Sequence, residues 1–599
     1  MGTELPSPFQ RNMRDDLFPK NRIWKLKPAS PLAPRLALET GLDPLQAQLL
    51  INRGISDRAS ARSFMSPRLV DLLDPMLLKD MEPAVETILS ALERKEKIII
   101  YGDFDADGTA ATALLLRFFR ELNVPVSSYI PHRIREGYGL NPRAIERLAG
   151  EGCGLLITVD CGVADGEEIA LAKRLGLETV VTDHHQVPTG FRPLCPVINP
   201  YREDSMFPFR DLAGVGVAFF LAIALRAALR ERGWFEESPE PDLKDYLGLV
   251  ALGTVADMAP LMGQNRILVK AGLERLGADP GIGIGALFNI AGTGTSVIDE
   301  KDLAFRIAPR LNASGRMGDA GQGVEILCTE NPDRAHRLAG ILDELNKRRQ
   351  AIEQDILRRI AGKIGEIHDF ENRRTLVVSG KGWHRGVLGI VASRLKDKYY
   401  RPAFVLSIEN GMAFGSGRSP GGFNLYGALS KLGPFLVKYG GHPRAAGLTL
   451  KSANIEGFSG ALEDLMRKET GEEDLFPTVE VDAPLTLPEL TEKRISEFGH
   501  LAPYGADNPA PLFYAGPLDV VDSRVVGEKH LKLKVKQDGA VREAIGFNLA
   551  TGRPDPKGFI NMIFTPEINR WQGMERIQLR IIDYESADTG KTKLKMFNP

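Results

Sequence analysis

The sequence predicts an α/β protein with two α/β segments, a long helix between them and a β-rich C-terminal region. Three observations carry this. Short apolar runs alternate with helical stretches, first from residue 98 to 182 and again from 375 to 406. A proline-free stretch from about Asp333 to Ile367 mixes charged and apolar residues as a helix does. Beyond about Phe476 the pattern turns to β-type runs broken by Gly and Pro. With 599 residues, 43% of them apolar and 26% charged, the chain is ordinary globular material, enough for three or four domains at ~100–200 residues each.

Residues 1–40 read as a loose arm, polar and proline-bearing from Met1 to Lys20, with no apolar signal core. Residues 41–95 read as short helices; in GLDPLQAQLLINRG the apolar spacing is helical and ends at Gly54. The apolar run Ile98 to Tyr101 then leads through an acidic, Gly-containing turn into the helical stretch Thr109 to Leu122. Gly154 to Val159 is a second run, followed by a helical stretch from about Glu167 to Leu175, and Thr179 to Thr182 is a third. Buried strands alternating with helices indicate a parallel sheet.

The most apolar stretch, Leu212 to Leu225, stops at Arg226. It is shorter than the ~20 residues a membrane span needs and reads as a buried helix. Leu243 to Ala256 reads as another helix. The stretch 333–367 would reach roughly 50 Å at 1.5 Å per residue, a rigid connector. Thr375 to Ser379 and Ala403 to Leu406 then read as strands, and Val387 to Leu395 as a helix. The expected organisation is an arm (1–40), a first α/β domain (41–330), the connector (331–370), a second α/β domain (371–475), a β-rich domain (476–585) and a tail (586–599).

A formal net charge of −2 gives a polyanion no global attraction, so any nucleic-acid binding must come from local basic clusters. Cys153, Cys161, Cys195 and Cys328 form no CxxC pair. That argues against a disulfide framework or a thiolate zinc site and leads to an expected cytoplasmic location, away from membranes.

The chemistry lies at the ends of the apolar runs. The first ends in Asp103-Phe104-Asp105-Ala106-Asp107-Gly108, the second at Asp160-Cys161-Gly162, the third in Asp183-His184-His185. Asp257 closes the expected helix Leu243 to Ala256. Ligands of open parallel sheets bind beyond the carboxyl ends of the strands, so these clusters should meet in space. Any one alone could be a turn or helix cap. So many carboxylates in one crevice repel each other, and divalent cations would offset that. Carboxylate and imidazole donors without thiolates favour Mg²⁺ or Mn²⁺. Two such ions about 3.5–4 Å apart would activate a water and stabilise the leaving oxygen of an in-line phosphoryl displacement.

Asp105-x-Asp107, Asp160, Asp183-His184-His185 and Asp257 resemble, in order, the four motifs of the DHH phosphoesterases. The strings YGDFDADGTAAT, REGYGLN, LITVDCGV, VTDHHQ, LAGVGVAF, LGTVADMAPL, FRIAPRLNASGRMGDA, KGWHRGVLGIVASRL, GSGRS and GGHPRAAGL narrow the resemblance to RecJ-type exonucleases over roughly residues 40 to 585. The resemblance implies that Asp105, Asp107, Asp160, His184 and Asp257 ligate two metal ions, with Asp160 bridging them. Asp103 and Asp183 would either ligate or orient the ligands, and His185 would face the scissile phosphate. Asp165 and Glu167 read as exposed cap or helix residues. The two α/β domains would be a DHH and a DHH-associated lobe closing over a cleft. In the second lobe a Gly440-Gly441-His442 turn would let the backbone approach a phosphate, with His442 at the scissile group.

Arginines and small hydroxyls suit a terminal phosphate. By resemblance, Arg133, Ser416 and Arg418 would form a 5′-phosphate pocket, beside Tyr138 of the REGYGLN string. Arg310, Asn312 and Arg316, read as lying in a Gly-rich turn, would hold the DNA backbone. Leu531, Leu533 and Val535 alternate with Lys532, Lys534 and Lys536, which puts the lysines on one strand face. Such a stripe suits a single-strand groove, and the resemblance makes this region a β-barrel OB-fold. The expected activity is 5′-to-3′ hydrolysis of single-stranded DNA to 5′-mononucleotides in repair and recombination. The chain would act as a monomer, with a helicase and a single-strand-binding protein as candidate helpers. The rivals are a DHH phosphodiesterase acting on short RNAs or linear or cyclic dinucleotides, and a non-catalytic DNA-binding scaffold.

Overall fold

The structure, a computed structural model, describes residues 22–293, 298–366, 370–550, 555–571, 574–587 and 594–596. The polar start Met1 to Lys20 and most of the expected tail lie outside them. The chain forms two compact units, one of Arg62–Ala351 with Pro503–Pro509, the other of the remaining described residues. The helices before Ala61 therefore group with the second unit, not with the first α/β domain as expected. The 35-residue helix Pro332–Glu366 gives its first part to one unit and its last part to the other.

The first unit is built on an all-parallel five-stranded sheet, in spatial order Val126–Tyr129, Lys97–Gly102, Cys153–Val159, Glu178–Thr182 and Val197–Ile198. Its strands are apolar on both faces because both faces are covered. Ile98, Ile100, Leu155 and Ile157 enter the core under helices Ala106–Glu121 and Gly214–Glu231. Ile99, Tyr101 and Leu156 enter a second core with Leu140, Ile145 and Leu148. Register matters most for function. Gly102 pairs with Val159, Val159 with Thr182 and Thr182 with Ile198. The next residues along these four strands, Asp103, Asp160, Asp183 and Asn199, therefore emerge side by side.

In the second unit, a mixed sheet runs Leu436–His442, Ala445–Lys451, Met412–Arg418, Ala403–Glu409, Leu376–Lys381. Only the last two of these strands pair in parallel. The C-terminal strands Phe513–Val526, His530–Gln537, Ala540–Gly546, Met574–Ser586 and Phe559–Trp571 close into a five-stranded barrel, because the first also pairs with the last.

Three local readings change. The expected arm holds a strand, Ile23–Leu26, and a helix, Ala33–Thr40. That strand pairs in parallel with Thr478–Val481 and with Leu594–Met596 of the expected tail. Buried Trp24 fixes it by donating from Nε1 to Asp583 at 3.0 Å. Partners more than 450 residues away leave no local signal. The expected Gly440-Gly441-His442 turn is the end of a strand; His442 pairs with Ala445, and Pro443-Arg444 make the turn. Gly441 is still required, with φ +137° and Ala445 O 2.4 Å from where a Cβ would stand. Finally, Arg310, Asn312 and Arg316 lie on the helix Ala308–Met317, not in a turn.

Candidate functional site

The four acidic clusters meet at the carboxyl edge of the parallel sheet. Asp105 caps helix Ala106–Glu121, its Oδ1 accepting from the amides of Asp107 and Gly108 at 3.0 Å each. The capping reading of Asp-x-Asp is thus true of Asp105, yet the same turn delivers Asp107 into the crevice. There Asp107 accepts from Gly214 N at 2.7 Å and Val215 N at 3.0 Å, at the positive end of helix Gly214–Glu231. Asp160 sits at φ +62°, a left-handed conformation that costs a non-glycine residue energy. His184 Nε2 lies 2.9 Å from Asp160 Oδ1, and its Nδ1 lies 3.9 Å from Asp257 Oδ2. Asp183 is buried and accepts from the amides of Val163, His184 and His185 and from His185 Nδ1 at 2.8 Å. It holds an imidazole in place, as carboxylates behind metal-site histidines do. Asn199, next along the sheet edge, donates to His185 O at 2.9 Å.

Electrostatics set these groups apart from an ordinary polar surface. Burial, then Asp105, pushes Asp103 up to about 8. Burial, then Asp257, pushes Asp107 up to about 7. Burial raises Asp257 to about 6 and, with Asp107 and Asp105, lifts Asp160 well above the usual carboxylate range. Burial works against Asp183 too, but the His185 hydrogen bond and both imidazole charges hold it below its ordinary value. Burial likewise lowers His185, and the Asp183 hydrogen bond and charge outweigh it, raising the imidazole to about 9.

The donors fit divalent cations. Ligand atoms lie within 4.8 Å of one another in three groups: Asp160, His184 and His185; Asp107, His184 and Asp257; Asp103, Asp105 and Asp160. Asp160 and His184 each belong to two groups, and of the two only the Asp160 carboxylate, with two oxygens, can be shared between neighbouring ions. Asp103 Oδ1 is buried and accepts no hydrogen bond among the described residues, and Asp160 Oδ1, also buried, has only the His184 imidazole beside it at 2.9 Å. Buried oxygens without donors are costly unless a cation takes the place of the donor. Glycines bring the backbone against these carboxylates. A Cβ on Gly214 would stand 2.7 Å from Asp160 Cβ, and one on Gly253 2.5 Å from Asp107 Oδ1. Both glycines sit in quoted strings, LAGVGVAF and LGTVADMAPL, but no residue-level signal marked them as part of the site.

Known proteins resemble this chain. The DHH family N-terminal domain matches residues 97–254, the DHHA1 domain 372–468 and the RecJ OB domain 481–583. A Bacillus subtilis protein named single-stranded-DNA-specific exonuclease RecJ is 36% identical over 569 residues, covering 94% of this chain and 70% of that one. The chain belongs to the RecJ family. Two crystal structures of RecJ from Thermus thermophilus match it. The Mn²⁺ complex has a TM-score of 0.80 at 29% identity, covering 96% of this chain and 81% of that one. The Mg²⁺ complex has a TM-score of 0.75 at 28% identity, covering 97% and 80%. These RecJ structures hold Mn²⁺ and Mg²⁺, and the clustered carboxylate and imidazole donors of this chain fit such divalent ions.

The other expected RecJ contacts fall in both units. In the first, Arg133 stacks on the Phe104 ring at 3.9 Å and feels the charges of Asp103 and Asp105. Tyr138 Oη lies 2.9 Å from His185 Nδ1. Arg310 is held by Asp343, with Nη2 at 2.7 Å, and Asn312 accepts from Ala106 N at 3.1 Å. Asn312 therefore holds the turn between Asp105 and Asp107. In the second unit, Arg418 Nη1 donates to Ser416 Oγ at 3.0 Å on one strand. His442 is exposed at its strand end. Lys532, Lys534 and Lys536 share a barrel face while Leu531, Leu533 and Val535 are buried. Asp522 and Asp519 stand opposite Lys534 and Lys536, and Glu543 pairs with Lys532 at 3.0 Å. The lysine face is partly neutralised by its neighbours. Asp165, read as exposed, is half-buried; burial raises it to about 6.

Proposed function

We propose that this RecJ-family chain is a metal-dependent exodeoxyribonuclease that hydrolyses single-stranded DNA from the 5′ end and releases 5′-mononucleotides. The observation that carries the reading is the convergence of Asp103, Asp105, Asp107, Asp160, His184, His185 and Asp257 into groups with ligand spacing, with the buried Asp103 Oδ1 lacking a donor. The ions, when bound, supply Lewis acidity toward phosphate and a nucleophile at neutral pH. Asp105, Asp107, Asp160, His184 and Asp257 would hold them, with Asp160 common to two of the groups. Asp183 accepts a hydrogen bond from His185 Nδ1–H and orients that ring toward the scissile phosphate. Arg133 offers its guanidinium to DNA phosphate near the carboxylates, and Arg316 does the same from its helix. Ser416 and Arg418 form a local anion site for a terminal phosphate, His442 contacts phosphate from its strand end, and the three barrel lysines track the single strand.

The barrel favours this over a dinucleotide substrate, which needs no extended groove. A single copy carries all of these groups, so we take the chain to act as a monomer, with helicase and single-strand-binding activities supplying its substrate. No helix among the described residues is long and apolar enough to cross a membrane. The four unpaired cysteines favour the reducing cytoplasm. The test is a time course on 5′- and 3′-labelled single and double strands with Mn²⁺ or with chelator. Mononucleotide release from the 5′ label of single strands, abolished by chelator, is expected; no metal-stimulated cleavage of any strand would favour the scaffold. Arg418→Ala should lessen the preference for a 5′-phosphate over a 5′-hydroxyl end.

A further inference from the structure

Tyr138 reaches the site from a loop, Gly137 to Leu140, whose shape is unusual. Gly137 has φ +90° and Gly139 φ +87°, so left-handed residues flank the tyrosine on both sides. A Cβ on Gly139 would lie 2.6 Å from Asp165 Oδ2. The peptide joining Gly139 to Leu140 is gripped at both polar atoms. Tyr101 Oη, on the buried end of its strand, donates to Gly139 O at 3.1 Å. Asp165 Oδ2 accepts from Leu140 N at 2.7 Å. The tyrosine so placed bridges two parts of the candidate site: its hydroxyl donates to Asp160 O at 3.2 Å and lies 2.9 Å from His185 Nδ1. Because Nδ1 also lies 2.8 Å from the acceptor Asp183, it carries the hydrogen, and Tyr138 Oη accepts from it. The hydroxyl therefore ties the strained Asp160 backbone to the His185 ring.

We propose that Asp165 and Tyr101 are positioning residues for the phosphodiesterase reaction, clamping the Gly139–Leu140 peptide so that the Tyr138 hydroxyl locks His185 against the Asp160 backbone. The proposal rests on the reading that His185 faces the scissile phosphate. Asp165 is neither among the candidate ligands nor bonded to one. A carboxylate holds an amide more firmly than a neutral acceptor does. A carboxylate at a helix start that only capped would accept from its own helix; Asp165 precedes helix Gly166–Arg174 and makes no side-chain cap bond there.

The experiment compares D165A, D165N, Y101F, Y138F and D165A/Y138F in the full chain. On single-stranded DNA with Mn²⁺, D165A and Y101F should lower kcat by roughly ten- to a hundredfold, the scale of small misplacements at a reacting centre, with little change in KM. D165N keeps an acceptor oxygen and should restore most of the rate. The double variant should be no worse than Y138F alone, since both changes break one linkage. Independent, multiplying effects, or a D165A enzyme with wild-type kcat, would overturn the proposal. Crystal structures of D165A and Y101F read the clamp without turnover: Tyr138 Oη should leave hydrogen-bond distance of His185 Nδ1. A tyrosine that stays in place in both variants overturns the clamp even if the chain cleaves DNA. A wild-type chain that fails to cleave overturns the reading of His185 while the displacement still reports on the clamp.

Discussion

The acid-lined crevice of the first unit and the lysine face of the barrel both gather like charges, but they do so on opposite terms. In the crevice Asp103, Asp107 and Asp160 are buried, lie among one another, and include an oxygen with no donor, Asp103 Oδ1. On the barrel Lys534 and Lys536 are exposed, and acids stand opposite them on the neighbouring strand. Like charges in a poorly solvated crevice interact strongly, whereas exposed charges are weakened by water and by salt within about 8–10 Å. The crevice therefore has an unmet demand for cations, while the barrel face has a modest, salt-sensitive attraction for a polyanion. The first is the candidate metal site; the second is proposed as a track.

The contrast breaks most sharply at Asp160. Asp160→Ala should cut turnover by well over a hundredfold, beyond the ten- to hundredfold typical of a group that only orients a ligand. Binding of a single-stranded oligonucleotide should be largely retained. Near-normal turnover would remove Asp160 from the bridging position. Next comes the packing that holds the carboxylates. Gly253→Ala sets a methyl 2.5 Å from Asp107 Oδ1, so Mn²⁺ affinity measured by calorimetry should fall, by roughly ten- to a hundredfold.

pH sharpens the difference between buried and exposed charge. In the metal-free protein Asp257, Asp107 and Asp103 are raised to about 6, about 7 and about 8. Each binds its proton more tightly folded than unfolded. Its contribution is whole below the unfolded value of about 3.9 and is lost as pH rises through the folded value. His185, raised to about 9, acts in the same sense. Asp183, lowered, acts oppositely, and only as pH falls toward and below its unfolded value. The Tm in chelator should therefore fall from about pH 4 to pH 8 relative to a variant lacking these acids, and the rise in Tm on adding Mn²⁺ should grow over the same window. A Mn²⁺ increment that is flat across that range would mean the carboxylates are not the ligands. The smallest effect belongs to the barrel: Lys534→Ala should weaken single-strand binding a few-fold and reduce the salt slope by about 0.7. Lys532→Ala should do less, because Glu543 already occupies that lysine.

Apolar runs of the right length gave away the parallel sheet, and three of its strand ends were visible because Asp103, Asp160 and Asp183 follow them directly. The barrel showed itself through the alternation from Leu531 to Lys536. Local pattern was misleading where long-range partners decide. Ile23–Leu26 is a strand only because Thr478–Val481 and Leu594–Met596 flank it. Gly440 and Gly441 looked like a turn because glycine composition says nothing about pairing with Ala446 and Gly447. Asp165 looked like an exposed cap until the Leu140 amide was seen to occupy it.

Residue order along the chain was enough to nominate the acidic and imidazole groups and to set Asp103, Asp160 and Asp183 at strand ends, since periodicity and donor type are local properties. It could not settle which oxygens go without donors, which glycines make room for them, or that Tyr138 joins Asp160 to His185. Those depend on distances between segments far apart in the chain, set by strand register and close packing, and no stretch of sequence contains them.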